Sequence, residues 1–160
     1  MSVPPILSEA QRRTLDTWRA AHERIVFTNG VFDLLHRGHV EYLAESRALG
    51  DRLIVGVNSD TSARRLGKGP GRPLMAEADR TAVLAALKAV DLVVVFDDDT
   101  PERLIHEVRP EVLAKGGDWA KEAIVGREFV ESLGGRVVSV PLREGFSTTA
   151  LIERMRASGR

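Results

Sequence analysis

The sequence predicts an α/β fold, a doubly wound parallel sheet of five strands with helices on both faces. Continuous apolar runs, of which RLIVGV at 52–57 is the clearest, alternate with stretches of helical periodicity. Strands that are apolar throughout are typical of parallel sheets covered on both faces. One helix after each strand implies right-handed crossovers, and hence the doubly wound arrangement.

The composition indicates a globular protein with a single domain, residues 1–160. Apolar residues make up 43% and charged residues 29% of a chain with zero net charge, so nothing points to binding of nucleic acid or a membrane. The absence of cysteine excludes disulfides and thiolate metal sites. The sequence also lacks a secretory signal and any apolar run near the roughly 20 residues that span a bilayer. We therefore expect a cytoplasmic protein.

The first half of the chain begins with a helix that precedes the sheet. Ser8 and Gln11 have the spacing of a capping box for a helix that runs to about residue 22. Residues 1–23 are thus a helical extension before a core at 24–158. Gly50 suits the C-terminal cap of the helix before the second strand. The predicted elements after the extension are a strand at 24–28, a helix at 37–48, a strand at 52–57, a short helix at 60–66 and a helix at 76–88.

Turn and cap residues mark the elements of the second half. Thr100 can cap the next helix, and Pro101 suits its first position. Pro110 leads into the fourth strand, and Gly134-Gly135 ends the helix after it. The predicted elements are a strand at 91–96, the helix after Thr100, a strand within EVLAKGGDW, a helix at 122–133, a strand at 136–140 and a helix at 147–158.

His36 and His39 lie where the first core strand gives way to a helix. A helix begins with unpaired N–H groups and a partial positive charge, so that end is a ready site for phosphate. Residues three apart share one face of the first turn, and both imidazoles can address the same phosphate. Gly38 lets a ligand approach the backbone closely. The same spacing also fits a surface pair or a metal site, so spacing alone leaves these alternatives open.

The stretch GKGPGRP at 67–73 breaks the periodicity and carries Lys68 and Arg72. It is not a Walker A loop, because no Gly-Lys-Ser/Thr opens a helix there. Two interpretations remain: a mobile surface linker, or a basic lid over a polyphosphate.

Three further polar groups follow strands or open helices. Asp97–Asp99 looks like a metal cluster, but a solvated strand end plus the negative charge favoured at a helix start explains it better. Lys115 and Asp118 follow the fourth strand, where ligands bind in open parallel sheets. Asp118 can instead cap a turn, with Trp119 as packing. The three hydroxyl residues 147–149 either cap the last helix or hold a second phosphate.

Four blocks of the sequence, in order, resemble the cytidylyltransferase-like nucleotidyltransferases. They are TNGVFDLLHRGH with its HxGH pattern, VNSD with the later Lys68 and Arg80, KGGDW, and FSTT, within residues 24–155. KGGDW and GFSTT favour the branch that adenylylates a heptose phosphate; many of its members are fused to a sugar kinase that has no counterpart here. The resemblance implies a Rossmann-like sheet of strand order 3-2-1-4-5, with the site beside the first and fourth strands.

The resemblance also assigns roles to individual residues, and its lysine in the 67–73 stretch favours the lid. The implied catalytic residues are His36, His39 and Lys68. The implied nucleotide contacts are Thr28, Asn29, Gly30, Phe32, Gly38, Arg80, Lys115, Gly117, Ser147, Thr148 and Thr149. The implied contacts of the sugar phosphate are Asp33, Asp60, Asp118 and Trp119.

The activity implied by the resemblance is transfer of AMP from ATP to D-glycero-β-D-manno-heptose 1-phosphate, with release of pyrophosphate. Mg²⁺ is expected as cofactor, bound mainly through the substrate phosphates, and the likeness is compatible with a homodimer. The alternatives are a cytidylyltransferase for an alcohol phosphate such as glycerol 3-phosphate, and a non-catalytic nucleotide-binding module. Glycerol-phosphate enzymes carry an arginine five positions before Ser147, where this chain has Leu142. That departure counts against the first alternative and leaves the role of the adjacent Arg143 open.

Overall fold

The computed structural model describes residues 3–117 and 120–159, and its five strands form one parallel sheet. The strands are β1 Ile25–Gly30, β2 Arg52–Asn58, β3 Leu92–Phe96, β4 Val112–Gly116 and β5 Arg136–Val140. Their order in the sheet is β3-β2-β1-β4-β5. The predicted fold class and the strand order implied by the resemblance are both confirmed.

Helices connect the strands and pack on the sheet. Within the described ranges they are α1 Glu9–Ala20, α2 Arg37–Arg47, α3 Asp60–Arg65, α4 Glu77–Ala85, α5 Glu102–Val108, α6 Arg127–Ser132 and α7 Thr148–Ser158, with a 3-10 turn at Lys121–Ala123. None of these helices is long and apolar enough to cross a membrane.

Alternation along β1 divides the buried side chains between the two faces of the sheet. Ile25 and Phe27 join a cluster built with α1, α5 and α6, whereas Val26 joins a cluster built with α2 and α4. Both faces are therefore covered, which explains why the strands are apolar throughout.

The segment before β1 packs onto the same core. Ser8 and Gln11 form the predicted capping box at the start of α1. Leu15 and Trp18 on this helix lie in the first of the two clusters. The Glu107 carboxylate of α5 accepts hydrogen bonds from the backbone N–H groups of Ile6 and Leu7, at 2.8 and 3.0 Å. The extension is thus fastened both by apolar burial and by a side-chain clamp on its backbone.

Three predicted features of the helix ends are wrong. The C-terminal cap of α2 is Ala48 and not Gly50. The helix predicted at 122–133 is interrupted, because Gly126 adopts a left-handed conformation with φ of +85° and the helix resumes only after it. A side chain at Gly126 would also meet Ile105, whose Cδ1 lies 2.7 Å from the ideal Cβ position. Thr100 is not the cap of α5, since the Pro101 carbonyl accepts the first intrahelical hydrogen bond and makes Pro101 the N-cap.

The register of the strands opens a cleft where the strand order reverses. β1 pairs with β2 along its whole length, but with β4 only through Val26 with Val112 and Phe27 with Leu113. The carboxyl ends of β1 and β4 therefore diverge beyond Phe27. A gap of this kind at the switch point is where open parallel sheets bind ligands.

Candidate functional site

The cleft at the ends of β1 and β4 has two lobes. The first has a volume of about 370 Å³ and the second about 430 Å³. His39 and Lys68 line both lobes, so the two cavities are parts of one site that meet at these side chains. Two of the three predicted catalytic residues thus lie at its centre, and the third, His36, lines the first lobe.

The start of α2 brings the two histidines together. Their ring centroids are 4.0 Å apart, and the backbone N–H of His36 donates to Nδ1 of His39 at 3.3 Å. A neutral His39 that accepts at Nδ1 carries its proton on Nε2, which makes Nε2 a hydrogen-bond donor. Nδ1 of His36 is buried and has no hydrogen-bond partner within the described residues. The predicted convergence of the pair at the mouth of a helix is what the structure shows.

Two aromatic rings hold the imidazoles in place. Phe32 meets His39 edge-on at 5.7 Å, and Phe146 stacks on His36 at 5.9 Å. An ideal Cβ on Gly38 would lie 2.9 Å from Cβ of Phe146 and 3.0 Å from the His36 ring, so only glycine allows this packing. Phe32 has a φ of +52°, a strained conformation for a bulky residue that recurs at functional sites. The sequence pointed to Phe32 and Gly38 but missed Phe146.

Burial keeps both histidines neutral near pH 7. It lowers the pKa of His36, and together with the nearby His36 and Lys68 charges it lowers the pKa of His39 to about 4. The fixed positive charge of the first lobe therefore comes from Lys68, Arg72 and Arg143. An anion beside the imidazoles would favour their protonated form, in opposition to the effect of burial.

The depressed pKa of His39 predicts a loss of stability in mild acid. The unfolded chain binds a proton near the ordinary histidine pKa of about 6.5, whereas the folded protein resists protonation down to about 4. The contribution of His39 to the free energy of unfolding is therefore complete above about pH 6.5 and decreases as the pH falls towards 4. Because His39 is only partly buried, we expect a loss of about 1 kcal/mol at pH 5.

Urea unfolding at pH 7 and pH 5 measures this loss. The variant His39→Asn retains an acceptor near the Nδ1 position but cannot titrate, so its stability should fall less between the two pH values. An equal fall in the wild type and the variant would contradict the prediction.

The predicted lid borders both lobes through Lys68. Gly67, Gly69 and Gly71 all have positive φ, at +66°, +114° and +71°, so this backbone path requires glycine. An ideal Cβ on any of them would meet nothing within 4 Å, so the stretch stands clear of the protein body. Closure over a ligand stays a prediction.

Asp33 is buried at the edge of the first lobe. Only 1% of its side chain is exposed, and its oxygens accept from Nε of Arg72 at 2.7 Å and from the N–H groups of Leu74 and Met75. Its carboxylate thus contacts protein groups where the resemblance implied a sugar phosphate. Arg72, one of the two cations of the 67–73 stretch, lines the lobe beside Asp33, and contact of Asp33 with a sugar phosphate stays a prediction.

Arg80 and Asp60 are not brought to the cleft as ligands. The Arg80 guanidinium is fully buried and donates to the carbonyls of Val31, Asn58 and Met75 and, at 2.8 Å, to the Asp60 carboxylate. These bonds join the ends of β1 and β2 to the segment after the 67–73 stretch. Arg80 therefore has a scaffolding role in this structure, since its guanidinium has no exposed surface. The implied contacts of Arg80 with the nucleotide and of Asp60 with the sugar phosphate stay predictions.

The second lobe is built on the diverging strands. Asn29 and Gly30 of β1 and Lys115 of β4 line it, and burial, followed by the Lys68 charge, lowers the pKa of Lys115. Thr28 is fully buried and hydrogen-bonded to the Tyr42 hydroxyl, so it reaches a ligand only through that partner. This placement brings Asn29, Gly30 and Lys115 to the gap, whereas Thr28 does not line it.

Tyr42 is a residue of this lobe that the sequence analysis missed. Its ring lies over Gly116, where an ideal Cβ would be 3.2 Å from Cε2 of Tyr42. Tyr42 thus lies at the gap between β1 and β4 and forms part of the wall of the second lobe. Its position three residues after His39, on the same helix face, was a signal that could have identified it.

The start of α7 closes the first lobe. Ser147 is the N-cap and accepts from the N–H of Ala150 at 3.4 Å, while Thr148 donates to the carbonyl of Leu34 at 3.0 Å. Thr149 lines the lobe together with both. Capping and a position at the cleft are therefore compatible for these hydroxyl residues, and phosphate contact stays a prediction.

The remaining candidates lie at the ends of β3 and β4. Gly117 has a φ of +96° and donates its N–H to the Val140 carbonyl. Asp118 and Trp119 fall outside the described residues, so their assignment to the sugar phosphate stays a prediction. The Asp97–Asp99 carboxylates contact Ser59, Arg103 and Arg65.

Comparison with known proteins adds family information to this geometry. A model of the cytidylyltransferase-like family matches residues 27–158. The protein called "Bifunctional protein HldE" is 54% identical in Syntrophotalea carbinolica, over 93% of this chain and 30% of that protein. Its namesake in Geotalea uraniireducens is 59% identical over 84% of this chain and 27% of that protein. The chain thus spans less than a third of the length of these relatives.

Solved structures agree with the fold. A lipopolysaccharide core biosynthesis protein from Thermoplasma volcanium has a TM-score of 0.63 and 32% identity, with 76% of this chain and 97% of that chain covered. A pantoate-beta-alanine ligase from Francisella tularensis has a TM-score of 0.54 at 13% identity, with 83% of this chain and 66% of that chain covered. The second likeness shows the fold alone.

Proposed function

The chain belongs to the cytidylyltransferase-like family, and on that premise we propose that it transfers AMP from ATP to D-glycero-β-D-manno-heptose 1-phosphate. The observation that carries the proposal is the first lobe. There the paired histidines at the start of α2, Lys68 and the hydroxyl residues at the start of α7 surround one cavity of about 370 Å³. Two helix starts and a lysine around one cavity suit a chain of phosphates.

The choice of acceptor rests on the relatives and on the blocks KGGDW and GFSTT. The relative from Thermoplasma volcanium is described as a lipopolysaccharide core biosynthesis protein. The second lobe, of about 430 Å³, has Asn29 and Lys115 on its walls. The resemblance implied nucleotide contacts for both residues; we place the phosphorylated sugar beside them, where an amide and an amine can contact it. These features support a sugar phosphate as acceptor.

In the proposed reaction, a phosphate oxygen of the sugar 1-phosphate attacks the α-phosphorus of ATP. The new oxygen–phosphorus bond forms as the bond to the bridging oxygen breaks, and pyrophosphate leaves with that electron pair. A phosphate monoester is largely dianionic at pH 7, so the attack needs no general base. The protein aligns the two reactants and stabilises the charge that develops.

The paired histidines are the donors closest to this charge in the proposal. Nε2 of a neutral His39 donates, and the N–H groups of the first turn of α2 add their partial positive charge. Lys68, at the junction of the two lobes, offsets the charge of the leaving pyrophosphate. A well-placed donor of this kind contributes roughly 10²–10³ in rate.

Mg²⁺ is the proposed cofactor, and it would further neutralise the phosphate chain when bound. The donors of the first lobe are cationic or neutral, and the oxygens of Asp33 already accept from Arg72 and two backbone N–H groups. In the described residues no cluster of three or more histidine or carboxylate side chains is arranged for a metal. Binding mainly through substrate phosphates fits this donor set.

Pyrophosphate release across a small matrix of substrates tests the function. The nucleotides are ATP, CTP, GTP and UTP, and the acceptors are heptose 1-phosphate, glucose 1-phosphate and glycerol 3-phosphate. We expect ATP with heptose 1-phosphate to give the highest kcat/KM, and reactions without acceptor to give the background. Preference for CTP with glycerol 3-phosphate would replace the proposal by an alcohol-phosphate cytidylyltransferase. Nucleotide binding without turnover in any combination would indicate a binding module.

A further inference from the structure

We propose that Arg72 binds the phosphate chain of the nucleotide and that Asp33 is the positioning residue that orients it. This inference rests on the proposed function and assigns one side of its phosphate site. It also replaces the sequence-based role of Asp33 as a contact of the sugar phosphate.

Asp33 is a buried anion beside a cavity that must accept a polyanion. Such a carboxylate would repel phosphate unless its own charge were offset. Nε of Arg72 lies 2.7 Å from Oδ2, and the N–H groups of Leu74 and Met75 lie 2.8 and 2.9 Å from Oδ1. Both oxygens are therefore bonded to protein donors, and the charge is balanced locally by one guanidinium.

Arg72 has donors to spare after this interaction. A guanidinium carries five N–H bonds, of which the single one on Nε is used by Asp33. Within the described residues the two terminal nitrogens make no hydrogen bond. The side chain is 12% exposed and lines the first lobe together with His36, His39 and Lys68. A guanidinium fixed at Nε can offer its terminal nitrogens to phosphate oxygens.

The position of Arg72 in the chain explains why a fixed cation is available there. Lys68 lies between Gly67 and Gly69, where an ideal Cβ would meet nothing within 4 Å. Arg72 lies at the other end, where Asp33 also binds the next two free backbone N–H groups, of Leu74 and Met75. The stretch thus carries one exposed cation and one anchored cation. An anchored side chain loses less conformational freedom on binding, which favours affinity.

A double-mutant cycle tests the assignment. Wild type, Arg72→Gln, Asp33→Asn and the double variant are titrated calorimetrically with inorganic tripolyphosphate and with ATP. We expect Arg72→Gln to weaken both affinities about 10- to 100-fold. In Asp33→Asn the new amide N–H₂ faces Nε–H of Arg72, so that two donors oppose each other. We expect this variant to lose a comparable amount of affinity for tripolyphosphate and ATP. The double variant should bind no more weakly than Arg72→Gln, because Asp33 acts through Arg72.

A matched control is Arg103→Gln. Arg103 also gives Nε to a carboxylate, at 2.8 Å from Asp98, but it lies outside both lobes of the cleft. Its loss should leave tripolyphosphate and ATP affinity unchanged. KM for each substrate, measured on the same variants, separates the nucleotide from the acceptor: Arg72→Gln and Asp33→Asn should raise KM for ATP more than KM for the sugar phosphate.

Three results would overturn the inference. One is wild-type affinity in Arg72→Gln. Another is additive losses in the double variant, which would mean that Asp33 acts independently of Arg72. The third is a defect of Asp33→Asn confined to KM for the sugar phosphate, which would restore the acceptor role. Arg72→Gln leaves a buried carboxylate without its cation, so thermal unfolding is measured first; if that variant does not fold, Arg72→Lys and the uncharged double variant decide.

Tripolyphosphate binding requires no turnover, so it separates this inference from the proposed function. If no substrate pair released pyrophosphate while tripolyphosphate still bound in an Arg72-dependent manner, the function would be refuted and the phosphate-binding assignment would stand. If turnover were normal in Arg72→Gln, the proposed function would stand and the phosphate-binding assignment of Arg72 would be refuted.

Discussion

Replacing His36 or His39 with alanine is expected to lower turnover by about 10²-fold or more, with the fold retained. The two rings lie 4.0 Å apart at the first turn of α2, beside the cavity that we assign to the phosphates. Each alanine removes an imidazole from the place where charge develops in the proposed reaction. Since Lys68, Arg72 and the start of α7 also line the proposed phosphate site, we expect kcat to fall more than the affinity for ATP.

The measurement is steady-state pyrophosphate release with ATP and heptose 1-phosphate, with circular dichroism as a check on folding. His106→Ala is a matched control, because His106 stacks on Phe129 at 3.8 Å, away from the cleft. Its turnover should stay within about twofold of the wild type. Near-normal turnover in both His36→Ala and His39→Ala would refute their assignment as the catalytic pair.

Much of the fold could be predicted because its signals are local. Apolar runs with helical stretches between them identify strands, and these elements agree with the structure. Strand order needed the family resemblance, since pairing depends on residues far apart in the chain. The break at Gly126 was missed for a related reason: Ile105, the side chain that leaves no room there, comes from another helix.

The residues of the candidate site also differ in whether local sequence or distant contacts place them. His36 and His39 lie on one helix turn, so their spacing alone brings them together. Phe146 and Arg72 lie in stretches that the sequence marked, FSTT and GKGPGRP, but their contacts with His36 and Asp33 join distant segments and could not be predicted from local spacing. A carboxylate that faces a substrate and one that faces a buried guanidinium also look alike in sequence. The sequence could therefore not show that the oxygens of Asp33 are bonded to protein groups at the edge of the first lobe.

Arg80→Met is expected to destabilise the protein by about 3–5 kcal/mol. The Arg80 guanidinium is fully buried and donates to three carbonyls and the Asp60 carboxylate. Methionine fills much of the volume but leaves these acceptors unpaired, and buried groups that lose a partner bear most of their desolvation cost. Arg80→Lys should also be destabilising, because an ammonium has three donors and cannot reproduce the planar fork.

Urea unfolding compares these variants with Arg13→Met. Arg13 also pairs with a carboxylate, but its side chain is 67% exposed, so its loss should change stability by less than about 1 kcal/mol. The family resemblance implied a nucleotide contact for Arg80, and that role makes a different prediction: KM for ATP would rise in a variant of near-normal stability. Such a result would require the guanidinium to turn into the cleft. The scaffolding role predicts instead that Arg80→Lys loses much of its stability, while the fraction that remains folded shows little change in KM for ATP. That result would show that Arg80 supports the cleft by joining the ends of β1 and β2.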